Sequence, residues 1–271
     1  MKKFLILFLA VFLFSGCEKY KPSSPAVYTS VQKAPERTYS YSYGIKGDSF
    51  KTVSELNYIT FPHQYYCIES KMPDFPQAFV FESIIEGKTP IVTVPYTSSV
   101  KDMILFAKKA GEVNSPILID LFPYNNKLDS KYSENYETAY KLLKKFSANS
   151  KIIHSYPIGY DGRETKDCDY TGITYYEDDI YNSVERTSKI KDISEDVPSF
   201  IFFGVSSYNS DSNTYDSIKA SKFISYFYKN ICSHTPNIVA VVYDEYKDEK
   251  NNYRIIDFPE TLEAYKNLKN S

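Results

Sequence analysis

Eight short apolar segments, separated by stretches with helical spacing, constrain the fold of this 271-residue chain more than any other feature. The segments are residues 39–45, 64–69, 90–95, 116–122, 151–156, 170–176, 199–205 and 237–243. Several of them are apolar almost without interruption, as in PIVTVP, PILIDLF, SFIFFGV and NIVAVVY. Such runs are typical of parallel strands that are covered on both faces.

The stretches between these segments show the i, i+3, i+4, i+7 spacing of amphipathic helices. One helical face is marked by Tyr136, Tyr140, Leu143 and Phe146, and another by Ile224, Phe227, Tyr228 and Ile231. Further helices are predicted at 50–58, 75–86, 98–110, 184–193 and 259–268. This alternation of strand and helix predicts an α/β fold, a (β/α)₈ or TIM barrel, as a single domain over residues 39–271.

The rival architecture is an open, doubly wound sheet. A dinucleotide-binding sheet of that kind has a GxGxxG turn after its first strand. Here the corresponding stretch is Tyr43-Gly44-Ile45-Lys46-Gly47-Asp48, which does not match. The barrel is therefore favoured.

The first residues predict an export signal. Lys2 and Lys3 precede an apolar run, Phe4 to Phe14, which is followed by small residues. A run of this length fits a signal peptide and is too short to span a bilayer, which takes about 20 apolar residues. The stretch Phe14-Ser15-Gly16-Cys17 resembles a bacterial lipobox, with Phe14 where leucine is usual.

These features divide the chain into three parts. Residues 1–16 are predicted to be a lipoprotein signal peptide. Cys17 is predicted to be lipidated and to begin a flexible, Pro- and Ser-rich tether, residues 17–38, ahead of the barrel. The protein is then expected to work outside the cytoplasm, attached to the bacterial cell membrane by its lipid. An ordinary secretory signal with an incidental cysteine is the alternative.

Composition excludes several classes of function. The net charge is −2, so the chain lacks the basic surface expected of a nucleic-acid-binding protein. Beyond Cys17 the cysteines are Cys67, Cys168 and Cys232, which allow at most one disulfide and show no CxxC spacing. The three histidines form no HExxH-type pair. We predict neither a metal site nor a cofactor.

Residues at the C-terminal ends of barrel strands are the candidates for function, because TIM barrels carry their active sites there. Tyrosines and carboxylates alternate at these ends, which suits a polyhydroxylated ligand. The candidate catalytic residues are Asp120, Glu69 and Glu245, and the candidate substrate-binding residues are Tyr43, Tyr96, Tyr124, Asn126, Tyr156, Tyr176, Tyr208, Tyr243 and Asp244. Two simpler interpretations stay open: the acidic residues are solvated loop charges, or Asp120 points into the barrel and holds a tyrosine or histidine.

Several co-linear segments resemble the family 26 glycoside hydrolases, the β-mannanase group. They are 87–94, 116–126, 170–176, 199–207 and 236–243, with Tyr253-Arg254-Ile255 after the last strand. The resemblance spans most of residues 39–271. It implies a (β/α)₈ barrel and retaining hydrolysis, which uses two carboxylates about 5–5.5 Å apart.

The catalytic glutamates of that family do not align with carboxylates here. The position after the fourth strand falls on Tyr124, and the position on the seventh strand falls on Phe202. Because phenylalanine cannot form a glycosyl-enzyme intermediate, the resemblance implies a barrel that has lost the family's chemistry.

Three functions follow as hypotheses. The first is a lipid-anchored protein that binds a polysaccharide or cell-wall glycan without catalysis. The second is an active glycoside hydrolase with a displaced carboxylate pair, in which Asp120 is the acid/base and Glu69 or Glu245 its partner. The third is a structural or assembly lipoprotein that binds a protein partner.

Overall fold

Eight parallel strands close into a barrel in the computed structural model, which describes residues 37–124, 130–160, 167–177, 190, 197–206, 208–209, 214–248 and 251–270. The strands are β1 (Ser42–Gly47), β2 (Tyr65–Glu69), β3 (Thr89–Val94), β4 (Ile117–Leu121), β5 (Ser150–Pro157), β6 (Tyr170–Glu177), β7 (Ser199–Val205) and β8 (Ile238–Asp244). Each pairs with its sequence neighbours, and β1 pairs with β8 to close the barrel. The predicted fold class is confirmed, and every predicted strand is present.

Six α-helices pack outside the described part of the barrel. They are α1 (Phe50–Ile59), α2 (Gln77–Ile85), α3 (Val100–Ala110), α4 (Tyr132–Phe146), α5 (Ser217–Tyr226) and α6 (Pro259–Lys266), and α5 continues as a π-helical turn over Phe227–Ile231. Side-chain oxygens of Ser49, Ser99 and Asp216 accept the backbone N–H groups that begin α1, α3 and α5. The helix predicted at 184–193 lies outside the described residues except for Ile190.

The strands bury side chains on both faces, which explains their continuous apolar sequences. The inner cluster fills the barrel and consists of Tyr65, Cys67, Ile91, Leu118, Ile153, Phe200, Phe202, Ala240 and Val242. The outer cluster lies between strands and helices and includes Ile45, Val92, Ile119, Ile173 and Val241. Adjacent positions on a strand therefore point to opposite layers.

Glycine makes room for the inner cluster on β6. A Cβ at Gly172 would lie 2.4 Å from the Ser155 Cβ on β5 and 2.8 Å from the Ser155 Cα. The absence of a side chain at Gly172 lets β5 and β6 approach while the rings of Tyr170 and Phe200 pack edge to face at 5.3 Å.

The other predictions concern the N-terminal segment, the cysteines and a metal site. The export signal, Cys17 and the tether up to residue 36 lie outside the described residues. Cys67, Cys168 and Cys232 are free thiols. Within the described ranges, no helix has the length and apolar character to cross a membrane, and no cluster of three or more His, Cys, Asp or Glu side chains could hold a metal ion.

Candidate ligand-binding site at the barrel mouth

A cavity of about 230 Å³ opens at the mouth of the barrel, which we define as the opening formed by the C-terminal ends of the strands. Its lining residues come from β1 to β4, β6 and β7 and from the turns that follow β3 and β4. They are Lys46, Glu69, Thr93, Pro95, Tyr96, Asp120, Pro123, Thr174, Tyr176 and Phe202. Because alternate strand residues point to the barrel axis, these side chains converge above the inner cluster.

Asp120 lies at the bottom of this cavity and is almost fully buried. The Ser155 hydroxyl donates a hydrogen bond to its Oδ1 at 2.6 Å. Burial raises the pKa of Asp120 to about 7, although the Ser155 hydrogen bond and the positive charge of Lys46 act in the opposite direction. Near neutral pH this carboxyl is thus divided between its acid and its carboxylate form.

Lys46 and Asp244 form a buried ion pair across the β1–β8 junction. Lys46 Nζ lies 3.0 Å from Asp244 Oδ2, and the Tyr176 hydroxyl donates to the same oxygen at 2.6 Å. Burial lowers the pKa of Lys46, but the Asp244 carboxylate, together with smaller contributions from Tyr176 and Cys67, holds that pKa well above its ordinary value. Burial, followed by the charge of Asp244, raises the pKa of Tyr176 well above 10. Lys46 therefore presents an ammonium to the mouth cavity, and Tyr176 presents a neutral phenol.

A second cavity of about 580 Å³ lies along the rim beside the mouth. It shares Lys46 and Glu69 with the mouth cavity. Its other lining residues are Gly47, Asp48, Thr52, Ile68, Asp244, Glu245, Tyr246, Lys247 and Arg254. The two cavities therefore adjoin at these residues of β1 and β2.

Glu245 follows β8 and has a fully buried side chain. Its Oε1 accepts the Ile255 N–H at 2.7 Å, while Oε2 has no hydrogen-bond partner among the described residues and lies 3.9 Å from Arg254 Nε. Burial raises the pKa of Glu245 to about 8. This carboxyl anchors the chain after β8 and does not reach the mouth.

Beside the mouth, a histidine joins two tyrosines in a chain of hydrogen bonds. The Tyr132 hydroxyl donates to the Phe122 carbonyl at 2.6 Å, so at 2.7 Å it accepts a hydrogen bond from His154 Nε2. In the neutral imidazole, Nδ1 is then the acceptor for the Tyr156 hydroxyl at 2.8 Å. The chain fixes the turn after β4, where Phe122 has φ = 49°.

The structure brings five of the candidate residues together at the mouth. Glu69, Tyr96, Asp120 and Tyr176 line the mouth cavity, and Asp244 contacts two residues of that lining. Asp120 points into the barrel, as one interpretation of the sequence proposes, but its partner is a serine. Tyr124 and Tyr156 do not line this cavity: their ring centroids lie 6.1 Å apart, and Tyr156 points away from the barrel axis toward His154.

Two tyrosines predicted to bind substrate lie elsewhere. Tyr43 packs on Phe61 and Tyr228 in the helical layer, and Tyr243 is buried against Phe203 and Tyr265. Both occupy positions that point away from the barrel axis. The structure corrects the prediction that these two tyrosines face the mouth, and the physical reason is the alternation of side chains along a strand.

Two other candidates are not described in full. Asn126 lies outside the described residues. Tyr208 belongs to a two-residue strand that pairs with Thr214–Tyr215.

Several lining residues are absent from the sequence-based candidates. Lys46 is the most consequential of them, followed by Thr93, Ser155 and Phe202, which line or support the cavity. Strand alternation contains a usable signal: Lys46 lies two residues after Gly44, so both face the axis if β1 extends beyond Ile45.

A third cavity, of about 650 Å³, lies at the opposite end of the barrel. It is lined by Thr38, Tyr39, Ser40, Tyr41, Tyr43, Tyr228, Lys229, Ser233, His234 and Leu268. It is larger than the mouth cavity but contains no carboxylate. Since this face of a TIM barrel serves stability, the smaller cavity is the better candidate site.

Comparisons with known proteins identify the fold. No protein-family model matches this sequence, and no curated protein is similar to it in sequence. Among solved structures, the barrel is similar to Cel5A from Thermotoga maritima in complex with cellobiose, with a TM-score of 0.56 and 12% identity over 80% of this chain and 88% of that one.

Two further structures are informative. A β-glucuronidase from Ruminococcus gnavus, in complex with D-glucuronic acid, has a TM-score of 0.63 and 11% identity over 85% of this chain, which spans about half (49%) of that protein. A GH128 (subgroup VII) oligosaccharide-binding protein from Trichoderma gamsii has a TM-score of 0.50 and 14% identity, over 86% of this chain and 95% of that one. At such identities the likeness establishes the fold: a TIM barrel like those of glycoside hydrolases.

Proposed function

We propose that the barrel mouth binds a carbohydrate and does not hydrolyse it by the two-carboxylate mechanism. The observation that carries this proposal is that Phe202 of β7 lines the mouth cavity together with Asp120 of β4. In the family 26 enzymes that the sequence resembles, the seventh strand carries the nucleophile. An aromatic ring in that place can pack on a sugar but cannot attack it.

The chemistry of the lining suits one sugar ring. The mouth cavity has a volume of about 230 Å³, which is below the ~300–1,000 Å³ of sites for drug-sized ligands. Tyr96 is partly exposed and offers an apolar ring, Phe202 contributes the little of its ring that is not buried in the inner cluster, and Asn135 donates a hydrogen bond to the Tyr96 hydroxyl at 2.7 Å. Lys46 can donate hydrogen bonds to sugar hydroxyls and Glu69 can accept them.

The structural neighbours support this assignment. One was solved with cellobiose, and another is an oligosaccharide-binding protein on the same barrel. Membership of the family 26 group is part of the proposal, and the segments of similar sequence support it.

Binding and turnover can be tested on the same preparation. Purified residues 21–271 are titrated with manno-, cello- and xylo-oligosaccharides, and reducing ends are measured after incubation with β-mannan, β-glucan, β-xylan and cell-wall glycan. We expect saturable binding without release. Release that disappears in Asp120→Asn or Glu69→Gln would overturn the non-catalytic part of the proposal.

One observation favours the second candidate, an active hydrolase. Burial raises the pKa of Asp120 to about 7, as a general acid at neutral pH requires, and Glu69 is an exposed carboxylate on the same cavity. If this pair acts, release falls as pH rises through about 7, because Asp120 loses its proton. The absence of release at any pH between 4 and 8 would exclude it.

We also propose that the protein is held at the outer side of a bacterial cell membrane by a lipid on Cys17. The basic and apolar residues of 1–14 and the lipobox-like Ser15-Gly16-Cys17 support this proposal. Expression with a labelled fatty acid should label the wild type and not Cys17→Ala. Equal labelling of the two proteins would contradict it.

A further inference from the structure

The rim cavity beside the mouth contains an aromatic residue that the candidates for function do not include. Tyr246 follows β8, lines this cavity, and has half of its surface (50%) exposed. Tyr58, Ile85 and Ile218 are more exposed than Tyr246, but all three lie on helices. An exposed ring inside a concave surface is typical of a binding site.

The position of Tyr246 is fixed by Tyr253. Their rings stack with centroids 6.5 Å apart and an interplanar angle of 25°, and the Tyr253 N–H donates to the Tyr246 carbonyl at 2.9 Å. Tyr253 itself is buried. Tyr253 therefore supports one side of the Tyr246 ring. Because the ring is already held in place, a ligand that packs on its exposed side loses little free energy to the ordering of this side chain.

Tyr253 also connects the rim to the mouth. Its ring lies 5.4 Å from the ring of Tyr176, which lines the mouth cavity. Gly204 of β7 makes this contact possible, because a Cβ there would lie 3.0 Å from Tyr176 and 3.1 Å from Tyr253. A row of three tyrosines thus runs from the mouth to the rim cavity.

The charges of the rim cavity are largely paired within the protein. Lys46 is paired with Asp244, and Asp257 lies 3.3 Å from Lys247 and 3.7 Å from Arg254. Glu69 is exposed and takes part in none of the ion pairs among the described residues. The cavity therefore favours hydroxyl groups, which carboxylates can accept, over an acidic ligand, which would need a free cation.

We infer that the rim cavity is a second subsite, in which Tyr246 stacks on the sugar next to the one held in the mouth. The ligand is then a neutral oligosaccharide of at least two residues, with its terminal residue in the mouth cavity and its next residue over Lys46 and Glu69. This inference rests on the proposed carbohydrate-binding function and adds to it the length, the direction and the charge of the ligand.

Binding constants measured over a series of chain lengths test the subsite. The probes are glucose, cellobiose and cellotriose, with the corresponding mannose and xylose series, titrated by calorimetry into the full mature chain. In the series that binds, the disaccharide should bind more tightly than the monosaccharide. Tyr246→Ala should weaken disaccharide binding by roughly threefold to tenfold and leave monosaccharide binding unchanged.

Three further variants make the result specific. Tyr246→Phe keeps the ring and should bind as the wild type does, whereas Tyr246→Gln should bind as Tyr246→Ala does. Tyr58→Ala removes a tyrosine that is 92% exposed on α1, away from the mouth, and should change nothing. An unchanged melting temperature verifies that each variant is folded.

The outcomes separate the subsite from the function on which it rests. If the wild type binds sugars but Tyr246→Ala binds the disaccharide equally well, or if monosaccharide and disaccharide bind equally, the subsite is overturned and the binding function stands. If no sugar of any series binds, the proposed function fails and the subsite fails with it.

Discussion

The Ser155 hydroxyl donates a hydrogen bond to the Asp120 carboxyl at 2.6 Å, across the β4–β5 interface. Ser155 is in turn packed against Gly172 of β6, where even a methyl group would collide with it. The orientation of the only carboxyl at the bottom of the described mouth cavity thus depends on a glycine two strands away. The packing of β5 on β6 and the geometry of the mouth cavity are therefore coupled at this point of the barrel.

Replacing Asp120 with asparagine should stabilise the protein at high pH. Because burial raises the pKa of Asp120 to about 7 in the fold, the wild type loses stability as pH rises from about 4 to about 7. Asparagine keeps an acceptor for Ser155 and has no charge to bury. Asp120→Asn should exceed the wild type by about 2–4 kcal/mol in free energy of unfolding at pH 8 and match it at pH 4. Urea denaturation at both pH values measures this, and an equal difference at both would contradict it.

Replacing Asp244 should destabilise the barrel. Asp244→Asn leaves the Lys46 ammonium largely buried without its carboxylate, which should cost about 3–5 kcal/mol. The double variant Lys46→Met with Asp244→Leu removes both charges and should be less destabilised than the single one. Urea midpoints of the three proteins decide the matter; a double variant as unstable as Asp244→Asn would show that shape, and not charge, is responsible.

Two glycines should differ in their tolerance of alanine. Gly172→Ala places a methyl group 2.4 Å from the Ser155 Cβ and should lower the free energy of unfolding by about 3 kcal/mol or more. Gly87 has φ = +72° but no atom within 4 Å of an added Cβ, so Gly87→Ala carries backbone strain alone, about 1 kcal/mol. Thermal unfolding of both variants should rank them in this order, and the reverse order would be evidence against close packing of β5 on β6.

Removing one hydroxyl should disturb the turn after β4. Tyr132→Phe deprives the Phe122 carbonyl and His154 Nε2 of a shared partner, both in a buried place, which should cost about 1–3 kcal/mol. Tyr58→Phe, on the exposed face of α1, is the matched control and should cost nothing measurable. Urea denaturation measures both variants. If Tyr132→Phe loses no more free energy of unfolding than Tyr58→Phe does, the hydrogen-bond chain contributes little to stability.

The strands were predictable because burial on both faces leaves a direct record in the sequence, as in Ser199 to Val205, where every residue is buried. Which layer a residue faces is harder to infer, because it changes with each step along the strand. Tyr243 and Asp244 are adjacent at the end of β8, and only Asp244 bonds to residues of the mouth lining. An uncertainty of one residue is enough to exchange them.

The remaining site residues depend on contacts that are distant in the sequence. Lys46 was not a candidate because its partner, Asp244, lies 198 residues further on, and only the closure of the barrel brings the two together. Tyr246 is similar, since its place depends on Tyr253 and on the space at Gly204. Local sequence patterns contain neither the register of β1 with β8, which pairs Lys46 with Asp244, nor the approach of Tyr253 to Gly204, which positions Tyr246.

Because β1 pairs with β8, the barrel cannot close until the last strand has been synthesised. One edge of β1 pairs with β2, which follows within about 20 residues, but the other edge and Lys46 have no partner until β8 has been synthesised. Contacts of such large separation are slow to form and expose strand edges in the meantime. Until β8 has been made, that edge of β1 therefore offers its free backbone groups to any other strand, including one of a second copy of the chain.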